Sequence, residues 1–242
     1  MDTLLTHIAN YLNGNDIFTV STLNMYWHGF VTTVQLTFLA LITGIVIAVP
    51  LSILRGSRCR WIKWPVFGYT YLFRATPLLI QLYIAYYGFT FVPGVKNSIF
   101  SFFYYNPFYS CWLAFALNTA AYTTEIFHGA IKATPRGEIE AARAFGMSRL
   151  TQLRRIILPS AFRRALPAYG NEVIFMLHAT VVAMAVTVTD LTGAAYYVYA
   201  RFYAPFPAFL FVAVLYMILS FSIQAAFRQL EKRMLIHLRS AQ

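Results

Sequence analysis

Two carboxylates stand out because of where they sit. Glu125 and Glu172 fall inside apolar runs, about 109–131 and 166–189. A carboxylate in hydrocarbon costs about 3 kcal/mol even on lenient insertion scales, so each should face a cavity or a partner. The chemistry open to such a group is counter-charge: it accepts hydrogen bonds from an ammonium, or a forked pair from a guanidinium. Glu172 has Asn171 beside it and His178 on the same run. The plainer alternatives are a hydrogen bond between helices for Glu172 and an ion pair with an inner-surface arginine for Glu125. Asn118 and Tyr122 are four apart and share a helix face, with Thr123 next to them. They can bond the amine or carboxylate of a small solute, or simply a neighbouring helix. Thr76 and Gln81 flank Pro77, and a helix broken there would free backbone groups for a polar ligand. Arg74 can meet a carboxylate or snorkel to the interface.

A different kind of constellation lies between the apolar runs. Glu140-Ala141-Ala142 is followed by Gly146, and after nine residues by Ile156-Ile157-Leu158-Pro159. Pro135-Arg136-Gly137 before it suits a helix start, with acids in the first turn. The small alanines would let this helix seat closely in a cleft. Gly146 can take positive φ and end the helix, and Ser148 can cap the next one. Pro159 is expected to end that second helix. The expectation is a rigid helix–turn–helix of about a dozen residues per arm.

The elements that carry these residues must span a membrane. Hydrophobic residues make up 59% of the 242, and mean hydropathy is +0.59. A soluble domain of this length is not so apolar. Five segments reach the roughly 20 residues a spanning helix needs: about 30–54, 66–91, 109–131, 166–189 and 205–227, the second broken near Arg74–Pro77. The net charge of +11 comes from loops. Sixteen of the 19 Lys/Arg lie in 55–65, 132–165 and the C-terminal tail. By the positive-inside rule the N-terminus is then outside and the C-terminus inside, with the loop at about 132–165 cytoplasmic. Residues 1–26 read as a periplasmic or interfacial segment, 27–235 as one transmembrane domain, and 236–242 as a cytoplasmic tail. Segment 92–108 reads as an external loop. The N-terminus lacks the basic region of a cleavable signal. There is no basic helix with interleaved aromatics for nucleic acid. Walker A, H-E-x-x-H, C-x-x-C and G-x-S-x-G patterns are absent, so catalysis, bound cofactor and metal find no support. Cys59 and Cys111 fall on opposite sides of this topology and are not expected to pair.

The full pattern E-A-A-x3-G-x9-I-x-L-P resembles the signature loop of the membrane subunits of binding-protein-dependent ABC importers. Phe73–Gln81, Ala121–Ile131 and Leu166–Ile174 resemble the F-R-G-T-P-L-L-V-Q, A-Y-x-x-E-x-x-R-G-A-I and L-P-x-x-G-N-E-F-I segments of polar amino-acid permeases. The longest stretches are most similar to the M-type permeases of histidine/lysine/arginine/ornithine importers, with opine permeases near. The resemblance spans roughly residues 25–235. It implies an all-α, type I ABC importer permease of the bacterial inner membrane. It further implies a second permease, expected to be a paralogue, an ATPase dimer that holds the ATP and Mg, and a periplasmic amino-acid-binding protein. Glu140, Ala141, Ala142, Gly146, Ile156, Leu158 and Pro159 would couple to the ATPase. Basic amino acids are the implied substrates; glutamine, glutamate or opines are the alternative. The family segment L-L-K-D-T-S is departed from at His178 and Ala179, while Thr180 is retained and joins the candidate site residues. Tyr71 and Ala75 also depart from the common pattern. A secondary transporter with Glu125 or Glu172 as proton relay, and a non-transporting scaffold or receptor subunit, are the rivals from other classes.

Overall fold

The computed structural model describes residues 17–92, 94–98 and 101–234. Among these the chain is helical throughout: α1 Val20–Arg55, α2 Arg60–Ala75, α3 Leu78–Phe91, α4 Ser101–Tyr105, α5 Pro107–Lys132, α6 Arg136–Ala144, α7 Arg149–Gln152, α8 Leu158–Ala179, α9 Leu191–Phe202 and α10 Pro205–Met234.

The packing inverts that of a soluble bundle. On α1 the buried positions other than Thr37 are Thr22, Tyr26, Gly29, Thr33, Leu36, Ala40, Gly44, Ala48 and Ser52, a stripe at three- and four-residue steps that is mostly small. Trp27, Phe38 and Val46 on the same helix point outward. Small interfacial residues let backbones approach where lipid supplies no hydrophobic drive between helices. The stripe packs most extensively on α5, whose buried face is Ala114, Ala116, Thr119, Ala120, Thr123 and Thr124. A Cβ on Gly44 would come within 2.5 Å of Thr119 Cγ2, so the α1–α5 approach depends on that glycine. The core near the end of the bundle opposite the basic loops is Leu36, Leu82, Phe115, Met176 and Val186; a second cluster joins Tyr26 to α9 and α10.

Several expected boundaries move. The first helix starts at Val20, ahead of the expected position near 30, because Thr19 caps it and its first turns are rich in Asn, Tyr, Trp and His rather than aliphatics. Residues 20–26 therefore belong to α1, and most of the expected interfacial segment 1–26 lies outside the described residues, as does the expected tail 236–242. The second span is broken at Thr76–Pro77, as the sequence predicts. The stretch expected as a loop at 92–108 contains a 3-10 turn, Val95–Asn97, and α4. The fourth span begins at Leu158, well before 166, and ends in a 3-10 segment, Thr180–Val186. A short helix, α9, follows where a plain loop is expected.

The second arm of the loop is a correction. Pro159 does not end a helix. It sits in the first turn of α8, where a missing N–H is tolerated. A π turn, Leu153–Ile157, precedes it and widens the backbone, so α7 runs on into α8 without a break. By length and composition, α1, the run Arg149–Val186 and α10 can each cross a membrane. α5 is long enough but diluted by Asn118, Glu125 and His128, and α2 and α3, at 16 and 14 residues, are each too short to cross alone.

Candidate functional site

Arg74, Asn118 and Glu172 each lie about 21 Å along their helices, at 1.5 Å per residue, from the ends that carry the basic loops. They meet at a cavity of about 530 Å³ beside the α2–α3 break, walled by Ala75, Thr76, Pro77, Tyr122, Phe175, Met176 and Ala179. The break is held open by side chains. Ending α2 at Ala75 leaves the carbonyls of Phe73 and Thr76 without helical donors. Gln81 Nε2 donates to Phe73 O at 2.7 Å, to Thr76 O at 3.0 Å and to Thr76 Oγ1 at 2.8 Å. Asn118 Nδ2 donates to Gln81 Oε1 at 3.0 Å and Phe73 O at 3.2 Å. The backbone groups expected to be free for a ligand are thus largely taken by Gln81 and Asn118.

The charged groups of the cavity are less committed. Glu172 is 7% exposed and accepts one hydrogen bond, from Thr119 Oγ1 at 2.8 Å. Arg74 lies over the Tyr122 ring, 5.3 Å from its centroid, while Tyr122 OH donates to Arg74 O at 3.4 Å. Among the described residues, Arg74 and Glu172 form no ion pair; the one found there is Arg55–Glu125. The cavity therefore offers a guanidinium and a carboxylate that are not in contact with each other. Glu125 is different. It accepts from Arg55 Nε at 2.9 Å and Thr70 Oγ1 at 2.7 Å, the pairing with an arginine that was its plainer alternative.

The remaining candidates do not line the cavity. Gln81 is 9% exposed and faces the opposite, apolar side of the break. Asn171 points outward, away from the cavity. His178 Nε2 is 2.9 Å from Ser220 Oγ on α10. Thr180 Oγ1 donates to Leu177 O at 2.7 Å and lies near Tyr216. The structure brings Thr76, Asn118, Tyr122 and Glu172 to the cavity wall; Gln81 bonds to Thr76 and Asn118 from behind it, and Asn171, His178 and Thr180 are outside.

At the other end, α6 carries Glu140, Ala141 and Ala142, and Gly146 follows at φ +71°. Ser148 Oγ accepts from Thr151 N at 3.3 Å, the cap expected from the sequence. Met147 N donates to Ala142 O at 3.1 Å and Gln152 Nε2 to Met147 O at 2.7 Å, closing the turn. Ser160 and Arg164 on α8 fasten it to the bundle: Ser160 Oγ is 3.5 Å from Glu138 Oε2, and Arg164 reaches Thr134 Oγ1 at 3.3 Å and also Ser160 Oγ. Ala141, Ala142, Ile156 and Pro159 line a surface cleft of about 630 Å³, with Phe145 at its rim, 84% exposed. Leu158 lies just beyond, in the first turn of α8.

Residues 42–236 match the family described as binding-protein-dependent transport system inner membrane component. The chain belongs to this family. It is 47% identical over 212 residues to the histidine/lysine/arginine/ornithine transport system permease protein HisM of Escherichia coli K12, covering 87% of this chain and 89% of that one. It is 41% identical over 191 residues to the nopaline transport system permease protein NocM of Agrobacterium fabrum, covering 78% and 79%. A crystal structure of an amino acid ABC transporter with histidines superposes with TM-score 0.77 at 29% identity, covering 88% of this chain and 96% of that one. The MetNI methionine transporter in inward-facing form shares the fold, at TM-score 0.74 and 21% identity.

Within this transport-system component, three groups near the cavity and loop carry little signal in the sequence. Thr119 is one of many small polar residues on α5, and only its contact with Glu172 distinguishes it. Gln152 and Arg164 look like ordinary loop residues. Asp190, fully buried, caps α9 by accepting from Gly193 N at 2.8 Å and receives Tyr216 OH at 3.3 Å. An acid at a helix start is a legible signal, though it points to a cap and not to a ligand.

Proposed function

We propose that this chain is the membrane-spanning permease subunit of an ATP-driven importer for basic amino acids in the bacterial inner membrane. The observation that carries the reading is the cavity at the α2–α3 break, with Arg74 and Glu172 at one depth and in no ion pair among the described residues. A basic amino acid brings a carboxylate at one end and a cation at the other. Arg74 would take the α-carboxylate and Glu172 the ammonium or guanidinium, with Thr119 orienting the Glu172 carboxylate. Tyr122, Asn118 and Thr76 would line the passage. The HisM relative supports the choice of substrate.

The chain would cross the membrane five times, α2 and α3 together forming one crossing, with its N-terminus outside. Its bundle leaves the cavity open at one side, so a second permease, a paralogue, would complete the path. The α6–α7 turn would dock into a cleft on an ATPase, which holds ATP and Mg; this chain would hold neither. A periplasmic binding protein would deliver substrate. Closure of the ATPase pair would move α8 directly, because α7 and α8 are one continuous rod through the π turn. An opine permease is the second reading, favoured by the NocM match.

Arginine uptake into vesicles holding the assembled transporter tests this. With Glu172→Gln, arginine KM should rise about tenfold or more, since a charge-assisted bond is lost at a partly desolvated site, while binding-protein-stimulated ATP hydrolysis persists. Unchanged arginine KM would remove Glu172 from the site.

A further inference from the structure

A separate cavity lies at the ends of the helices that carry the basic loops. It holds about 350 Å³ and is lined by Arg55 and Gly56 at the end of α1, Lys63 on α2, and His128, Ile131 and Lys132 at the end of α5. Its charge is one-sided. Arg55 is matched by Glu125 at 2.9 Å, whereas Lys63 and Lys132 have no ion-pair partner among the described residues. His128 Nδ1 is buried and also lacks a hydrogen-bond partner there. So two lysines and a histidine with an unpaired Nδ1 line one hollow.

Its surroundings favour a lipid over a free ion. α2 enters the bundle at this level with Trp61 91% exposed and Trp64 56% exposed, three residues apart and so on one face. Indoles at a helix end mark the headgroup layer. Arg60, Trp61, Trp64 and Pro65 line a shallow cleft on that face. Basic hollows between helices at the inner surface suit phosphate headgroups.

We propose that this cavity binds the phosphate of an anionic phospholipid from the surrounding leaflet, held by Lys63 and Lys132 with His128 as a further polar contact. The bound headgroup would bridge α1, α2 and α5, the three helices that Glu125 ties together through Arg55 and Thr70.

The full chain, purified in a non-ionic detergent, tests this by native mass spectrometry with phosphatidylglycerol or phosphatidylcholine at equal concentration. The wild type should retain phosphatidylglycerol over phosphatidylcholine by on the order of tenfold. Lys63→Gln with Lys132→Gln should abolish that preference, and Lys63→Arg with Lys132→Arg should keep it. Equal retention of the two lipids by the wild type would overturn the proposal. So would an undiminished preference in the glutamine variant, or a lost one in the arginine variant, which remains informative if the glutamine variant does not fold. Inorganic phosphate separates the sources: melting protection by millimolar phosphate equal to that by phosphatidylglycerol would overturn the lipid assignment.

Discussion

Glu172 and Glu125 are the same residue type in neighbouring helices, yet they are spent differently. Arg55 and Thr70 hold Glu125, and both members of that pair are mostly buried, at 13% and 21% side-chain exposure. Glu125→Gln should therefore act on stability, leaving Arg55 without its counter-charge at a cost of about 1–3 kcal/mol, read as a lowered melting temperature in detergent. A melting temperature unchanged from wild type would contradict the pairing. Among the described residues Glu172 accepts a hydrogen bond only from Thr119. Thr119→Val keeps the shape and removes the hydroxyl; it should raise arginine KM severalfold, by about 1 kcal/mol, with less effect on melting than Glu125→Gln. The sequence separates neither role, because both residues look like isolated acids in apolar runs. What divides them is the helix opposite: α1 ends in an arginine beside Glu125, and α5 offers a threonine to Glu172.

At the scale of elements, the α2–α3 break and the α6–α7 turn each rest on a few groups. The break is knitted by Gln81, which answers carbonyls freed by the end of α2. Gln81→Leu should cost about 2–4 kcal/mol, a lost hydrogen bond plus unsatisfied buried acceptors, and should impair uptake of every substrate alike by distorting the cavity wall. A substrate-selective effect would argue instead that Gln81 touches the ligand. The turn rests on Gly146, whose φ of +71° an added Cβ would strain, with no neighbour within 4 Å to clash. Asn tolerates that conformation better than a branched residue. Gly146→Asn should retain most ATPase-driven uptake and Gly146→Val should lose it while inserting normally; equal activity of the two would count against the turn as the coupling element. Much of this was legible: Pro77 marked the break, and Glu140, Gly146 and Ser148 marked the turn. Pro159 misled because proline punctuates a helix at either end, and only the preceding π turn, invisible in composition, shows that here it opens one. Likewise α9 hid between two stronger apolar runs, too short and polar to register by hydropathy.

At the scale of the molecule, charge and small residues set the layout. The basic loops gather at one end of the bundle, and the glycine, alanine and threonine stripe of α1 fixes how it packs on α5. On α10 only Ala208 and Val212 are buried, which leaves most of that helix for lipid or a partner. The proposed orientation can be read from a native thiol. Cys59 is exposed in the turn between α1 and α2, while Cys111 is fully buried. A membrane-impermeant maleimide should label Cys59 in inside-out vesicles and spare it in spheroplasts; labelling in spheroplasts would reverse the orientation.

The central claim is that this chain passes basic amino acids through a shared path driven by a separate ATPase. Its most direct measurement is purification of the chain from its own membrane, identification of the co-purifying subunits, and reconstitution for arginine transport. The account predicts an ATPase and a second permease in the complex, with ATP-dependent arginine uptake that Glu172→Gln weakens. A chain that purifies without an ATPase, or a complete complex whose uptake ignores arginine, lysine and histidine alike, would contradict it.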